Sequence, residues 1–331
     1  MTAHAPTRSA QHAVPEHQPS AAARATAIVV TLTALLAVLA LAFALPAAKS
    51  RPHAVPIGIA GPQAAGGQAA RVLEQSAPGA FAITYYPGAA ALRDAIEHRE
   101  VYGGIAFDAS QPTLITATGG SPAIAQLLTQ VGSGIAQHKG VQMTIEDLAP
   151  PSAADPRGAG LAASALPITL ASILPAMALV LLLRQQTWLR FGAVIGFAGL
   201  MGVTAAALLR YPLGSIEQNF WGVAGGLALG IAAALLFVLG LGSLFGRTGL
   251  AIGAGLAVLV GNPLSGLTSA PEMLPAGWGT VGQLLPQGAT ATLLRSTAYF
   301  GGAGSTSAIL VLSCWALAGT ALIATAAIRR A

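Results

Sequence analysis

The chain has 331 residues, of which 54% are hydrophobic and only 8% charged, with a formal net charge of +5. Soluble domains carry about 25% charged residues, so an ordinary soluble fold is excluded. The basic excess is thinly spread and lacks a patch interleaved with aromatics, which argues against nucleic acid as a partner; basic residues that orient a membrane protein account for it.

Residues 1–24 are polar, proline-containing and aperiodic, the composition of a disordered tail, and His4, His12 and His17 lack metal-ligand spacing. Ala25–Ala48 is then continuously apolar, between Arg24 and the pair Lys49 and Arg51. Its end, Ala44–Ala48, has the small-residue character of a signal-peptidase site. The apolar run of about 20 residues is nevertheless longer than the 7–15 of a signal sequence, so an uncleaved first transmembrane helix is expected, with cleavage as the alternative.

Lys49–Gly160 holds seven of the sixteen basic residues and eight of the eleven acids. Val55–Ala60, Phe81–Tyr86, Val101–Phe107, Pro112–Thr118 and Val141–Leu148 are rich in β-branched and aromatic residues and read as strands. Asp108–Gln111 is a polar turn. Gln63–Gln75, Ala89–His98 and Ser121–Gln137 read as helices. The order β-α-β-α-β-β-α-β predicts one compact α/β domain with helices covering a sheet, followed by a linker, Pro150–Gly160. Arg93, Asp94, Glu97, His98, Arg99 and Glu100 cluster at one helix end; a solvated face with i,i+3 and i,i+4 pairs explains them better than a ligand patch or metal site. Tyr85, Tyr86 and Tyr102 suit either the core or its rim.

Five apolar segments follow, at roughly Leu161–Leu183, Phe191–Leu209, Gly222–Phe245, Thr248–Val260 and Ser307–Ile328. A bilayer crossing needs about 20 mostly apolar residues, and Thr248–Val260 reaches that only by running on through Asn262–Leu267. With the first helix, these segments predict a helical membrane protein of six transmembrane helices, with the α/β domain inserted between the first two. None of the six contains Asp, Glu, Lys, Arg or His. Ion-coupled carriers keep such groups at bilayer depth, so a self-powered transporter is not expected. The only cysteine, Cys314, lies in the last segment and reads as a small apolar packing residue. Gly222, Gly226 and Gly230 recur every four residues on one helix face, and Gly242–Gly246 and Gly249–Gly253 repeat the spacing around a tight turn at Arg247. Small residues let helix backbones approach closely; this stripe is either packing within one bundle or a surface between protomers.

With the N-terminus inside, Arg8, Arg24, Arg184, Arg190, Arg247, Arg329 and Arg330 all face the cytoplasm against one acid, Glu16. That is the positive-inside pattern. It puts both termini in the cytoplasm and the α/β domain outside.

Asn262–Gly302 is too polar and proline-rich for a crossing and too apolar for a plain loop, with Pro263, Pro271, Pro275 and Pro286 breaking it up. It reads as short re-entrant or interfacial helices on the outer face, or as a loop lying on the bilayer. The run from Gly261 to Phe300 (GNPLSG, PEMLP, GW, LLP, AYF), with AIEHREVYGGI at Ala95–Ile105 and DPRG at Asp155–Gly158, resembles the ABC-2-type membrane proteins, particularly the actinobacterial YhgE/Pip-like branch. The one-plus-five layout around an outer domain is similar as well. The resemblance implies a bacterial plasma-membrane permease working as a homodimer or permease pair, driven by a separate nucleotide-binding ATPase. By the same resemblance the loop Arg184–Arg190, with Arg184, Trp188 and Arg190, is the coupling contact. Asn262–Phe300, including Asn262, Pro263, Pro275, Trp278, Pro286 and Gly288, is the outer gate. This chain departs from the better-known permeases in lacking a clear amphipathic helix before the first crossing and in carrying a folded outer domain.

No phosphate-binding GxxxxGK[ST] loop, nucleophile elbow or Ser/His/Asp arrangement occurs, so the chain is expected to be neither an enzyme nor a holder of metal or cofactor. Two functions are carried forward. One is a permease subunit that exports a hydrophobic or amphipathic molecule. The other is a non-transporting scaffold or receptor whose outer domain binds a partner or an envelope component.

Overall fold

The structure is a computed structural model that describes residues 20–107, 111–183 and 186–329. The tail up to residue 19, most of the Asp108–Gln111 turn, Arg184 and Arg330 lie outside the described residues. The first compact unit, which ends at Leu41, is described by a single apolar helix that continues to Ala48 (α1, Ala21–Ala48). The second unit runs from Ala42 to Ala331 and contains everything else.

Its first part is an α/β layer. The elements are β1 (Val55–Ala60), α2 (Gln63–Ser76), β2 (Phe81–Tyr86), α3 (Ala89–Glu97), β3 (Gly103–Phe107), β4 (Pro112–Thr116), α4 (Pro122–Lys139) and β5 (Thr144–Asp147). This is the order read from the sequence. The sheet runs β2-β1-β3-β4-β5, parallel except for the β3–β4 hairpin. Alternation along β1 sends Val55, Ile57 and Ile59 toward α2 and α4, where they meet Leu73, Ile124 and Leu128. The opposite face meets α3 through Leu92, Ala95 and Ile96. Gly58 gives α3 room to approach there, because a Cβ would lie 2.2 Å from the end of the Leu92 side chain. Ser121 caps α4 by accepting from the Ile124 amide, Pro122 occupies the first turn, and Gly140 closes the helix at φ 63°.

Residues beyond Gly160 add to the core of this layer. Ala270 and Met273 complete the core on the α2/α4 face, and Tyr299 and Phe300 complete it on the α3 face.

The second part is helical: α5 (Ala159–Ala163), α6 (Ala165–Leu182), α7 (Thr187–Arg210), α8 (Phe220–Gly255), a π-helical turn (Leu256–Gly261), α9 (Trp278–Gln283), α10 (Pro286–Tyr299) and α11 (Thr306–Ile328). Five helical runs in the protein are long and apolar enough to cross a membrane: Ala21–Ala48, Ala159–Leu182, Thr187–Arg210, Phe220–Gly261 and Thr306–Ile328. This makes it a helical, membrane-embedded protein. Helix α8 lies at the centre, with α6, α7, α10 and α11 packed on it.

Helix α8 is not one rod. At Gly246 the backbone turns to φ 63°, ψ −137°, a conformation open essentially only to glycine. A Cβ on Gly242 would meet Leu250, one on Gly249 would meet the Leu241 carbonyl, and one on Gly253 would meet Val238. These pairs are nested around residue 246, the signature of an antiparallel helical hairpin. The glycines the sequence grouped around Arg247 are what let its two limbs touch.

Candidate functional site

The sheet layer and the broken segment Asn262–Gly302 are stitched together by several independent bonds. The amides of Arg51 and His53 donate to the carbonyls of Met273 (3.1 Å) and Glu272 (2.9 Å). The hydroxyls of Ser50 and Ser121 donate to Met273 O and Ser269 O, both at 3.0 Å. Ser121 therefore caps α4 and ties it to this segment at once.

Three larger side chains complete the junction. Arg99 follows α3 in a left-handed conformation, φ 62°, uncommon for a residue with a side chain. That turn aims its guanidinium at α10, where Nη1 donates to Thr292 O at 3.0 Å and Ser296 Oγ at 2.6 Å and the group lies 5.3 Å from the centre of the Phe300 ring. Tyr102 donates its hydroxyl to Glu272 Oε2 at 2.8 Å. Burial, then the Glu272 charge, raise its pKa, so it stays a phenol donor at neutral pH. Arg295 is 4% exposed, and its Nη2 donates to the carbonyls of Gly266, Leu267 and Ser269 at 3.0, 2.7 and 3.0 Å. Burial lowers its pKa to about 10, which leaves it a cation at neutral pH.

Around this junction opens a cavity of about 440 Å³, lined by Arg99, Glu100, Tyr102, Glu272, Thr292 and Phe300 over an apolar floor that includes Leu274 and Pro275. That volume is within the range of small-molecule sites. The lining offers one guanidinium, one imidazole, two carboxylates, a phenol and the hydroxyls of Thr280 and Thr292 beside its apolar floor, a set that can hold an amphipathic molecule. Among the described residues no group of three or more His, Cys, Asp or Glu is placed to hold a metal.

A second knot lies at the DPRG sequence. The Asp155 carboxylate accepts from the amides of Ala159 and Gly160, both at 2.8 Å, and from Ser215 Oγ at 2.7 Å. It joins the start of α5 to the α7–α8 connection. Burial by itself would raise its pKa, but the hydrogen bonds from Gly160, Ser215 and Ala159 outweigh it and hold the group below the ordinary value. A depressed carboxylate stabilises the fold above its unfolded-state pKa, and that contribution disappears as pH falls through the folded value. Asp155→Asn is therefore expected to cost about 1 kcal/mol at pH 7, the scale of a lost cap. In detergent unfolding curves the difference from the parent should shrink as pH falls below the ordinary carboxylate value.

The residues proposed from the sequence are scattered by the fold. Of the gate set only Pro275 lines the large cavity. Asn262 is buried near Gln287 and Thr290, Pro286 starts α10, and Trp278 is half exposed at the start of α9. Pro263 directly follows Asn262 and is partly buried. Gly288 is a close-approach position: a Cβ there would lie 2.1 Å from the Gly282 carbonyl.

In the coupling set Arg184 lies outside the described residues, and Trp188 is 64% exposed. Arg190 is 1% exposed and turned inward, with Nε donating to Leu183 O and Nη1 to Ser243 Oγ at 3.2 Å. It ties the connection before α7 to α8.

Gly226 and Gly230 face α10, where a Cβ would meet Leu293 and Thr290, whereas Gly222 faces the side chain of Asn219 in its own cap. Of the two readings of the stripe, these contacts correspond to packing within the chain.

Arg99 and Arg295 escaped the sequence reading. Arg99 sat in a charge cluster that looks solvated, and only its left-handed backbone, invisible in the sequence, redirects it. Arg295 carried one signal, an arginine isolated in an apolar stretch, which means either solvent at a loop or internal partners. Comparison with sequence-family models, characterised proteins and solved structures yields no significant match.

Proposed function

We propose that this chain is the membrane subunit of an ABC-2-like exporter, moving a hydrophobic or amphipathic molecule with energy from a separate nucleotide-binding ATPase. The observation that carries the reading is the build of Asn262–Phe300. It folds as two short helices, and the second, α10, is buried against α8 while the sheet layer grips it through Arg99. A short helix embedded in the bundle and held from one side by a folded layer is suited to act as a gate that moves with that layer. The hairpin at Gly246 supports counting Phe220–Gly261 as two crossings, six in all with α1. The arginine distribution supports cytoplasmic termini and an outer sheet layer in a bacterial plasma membrane.

The cavity of about 440 Å³ favours a second reading, a receptor or scaffold whose outer layer captures a ligand without transport. The two readings separate on energy coupling. Mild-detergent purification of the tagged protein from its native membrane should bring down a stoichiometric ATPase whose turnover rises in the complex; a clean preparation that still binds a ligand selects the receptor. Trp188, exposed on the expected cytoplasmic side, is the contact to test first. Trp188→Ala should weaken ATPase association by about 10-fold or more, the scale of an aromatic interface anchor. Unchanged association and export rule out coupling through this residue.

A further inference from the structure

We propose that the cavity between Arg157 and Arg295 is an anion site that holds a phosphate group. The cavity measures about 100 Å³ and is lined by Arg157, Arg295, Thr118 and Tyr299 among apolar residues that include Leu161 and Ala162. Among the described residues no carboxylate lines it.

The donors are unspent. Arg295 uses Nη2 on three carbonyls, while its Nε and Nη1 have no hydrogen-bond acceptor among the described residues. No buried side-chain nitrogen or oxygen among those residues lacks a partner, so these two nitrogens must reach open space. With Arg295 only 4% exposed, that space is the cavity it lines. Arg157 makes no hydrogen bond or ion pair among the described residues. Tyr299 donates only a long bond of 3.4 Å to Ser215 O. Its pKa is pushed up to about 12, first by burial and then by Asp155, so it keeps its proton at neutral pH.

The nearest acid in sequence, Asp155, is occupied by two amides and the Ser215 hydroxyl. Glu272 is engaged by Tyr102. The Glu272 charge acts on Arg295 without a hydrogen bond between them, which leaves the Nε and Nη1 donors for an anion, and arginine donors match the oxygens of phosphate.

Size narrows the ligand. At about 100 Å³ the cavity has room for one tetrahedral oxyanion but is far below the ~300 Å³ of a small-organic site. Leu161 and Ala162 belong to a run long and apolar enough to cross the membrane, Ala159–Leu182, and they lie at its beginning. The phosphate can therefore be free in solution or belong to a lipid headgroup, and the chemistry at the site is the same.

The test uses the full chain in maltoside micelles, free of phosphate and at fixed ionic strength, followed by thermal unfolding. Inorganic phosphate and phosphatidylglycerol are titrated separately. Stabilisation by inorganic phosphate identifies a soluble anion. Stabilisation by phosphatidylglycerol alone identifies the headgroup. In either case Arg157→Gln should weaken the apparent affinity about 10-fold or more, while Arg71→Gln, an exposed charge on α2, should leave it unchanged. Because Arg157 is exposed, that variant is expected to fold. Arg295→Lys, which keeps the charge but loses the fork, should weaken binding as well. The proposal is overturned if neither ligand stabilises the protein, or if both arginine variants bind as the parent does.

Discussion

Gly282→Ala and Gly288→Ala are expected to abolish the folded protein, whereas Gly225→Ala should be neutral. A Cβ on Gly282 would lie 2.0 Å from the Leu264 carbonyl, and one on Gly288 would lie 2.1 Å from the Gly282 carbonyl. Gly279 repeats the pattern against Pro271 O at 2.1 Å. Real side chains never approach backbone this closely, and the opposing group is a carbonyl held in a packed turn, not a mobile side-chain end. Relief requires α9 to move off the turn at Leu264 in the first case and off α10 in the second, so the cost should exceed the ordinary overpacking range of about 1–3 kcal/mol. Gly225 has nothing within 4 Å of its Cβ position and faces outward from α8. The measurement is the monodisperse fraction after detergent extraction together with the unfolding midpoint. If Gly282→Ala extracts and melts like the parent, α9 does not pack on the Leu264 backbone; the same result for Gly288→Ala rules out the close contact of α9 with α10.

Arg295→Met should be the most damaging substitution of a polar residue. The methionine fills a similar space but leaves the Leu267 carbonyl without a donor, while the carbonyls of Gly266 and Ser269 keep only the Ser269 amide and the Ser121 hydroxyl. The unsatisfied Leu267 acceptor costs about 1–3 kcal/mol, and the bonds lost at the other two carbonyls about 0.5–1.5 kcal/mol each. That is a large part of the 5–15 kcal/mol by which folded proteins are usually stable. The sheet layer should feel it too, because Ser121 donates to the same Ser269 carbonyl. The expected readout is faster proteolysis across 262–285 and a lowered unfolding midpoint, with Arg295→Lys intermediate. A parent-like midpoint for Arg295→Met would mean that water replaces the guanidinium at no cost, and that this segment is not held as described.

Both predictions bear on function, because they act on the segment proposed to gate. Arg99 reaches α10 from the sheet side and Arg295 reaches the 266–269 turn from within α10. The sheet layer, that turn and α10 thus share one set of bonds, which is why motion of one should carry the others.

Much of this architecture was legible in the chain. A strand's face alternation and a helix's length depend on neighbours in sequence, so Val55–Ala60 and Phe81–Tyr86 begin and end where their β-branched runs do. The lipid-exposed helices were equally plain, because a bilayer demands long uncharged runs whatever they pack against. The glycine spacing announced close helix approach but not the partner, since Gly226 and Gly230 could have faced a second protomer as readily as α10.

What the sequence determined by itself was therefore the set of elements and their membrane character, because both follow from local backbone preference and from transfer of apolar surface out of water. Only the tertiary structure decided that Arg99 and Arg295 are internal ties and Arg190 a buried one, that the sheet borrows its last core residues from 270–300, and that α8 folds back at Gly246. Each of those outcomes depends on which long-range surfaces meet. A buried arginine and a solvated one look the same until the carbonyls that accept its protons have been brought to it.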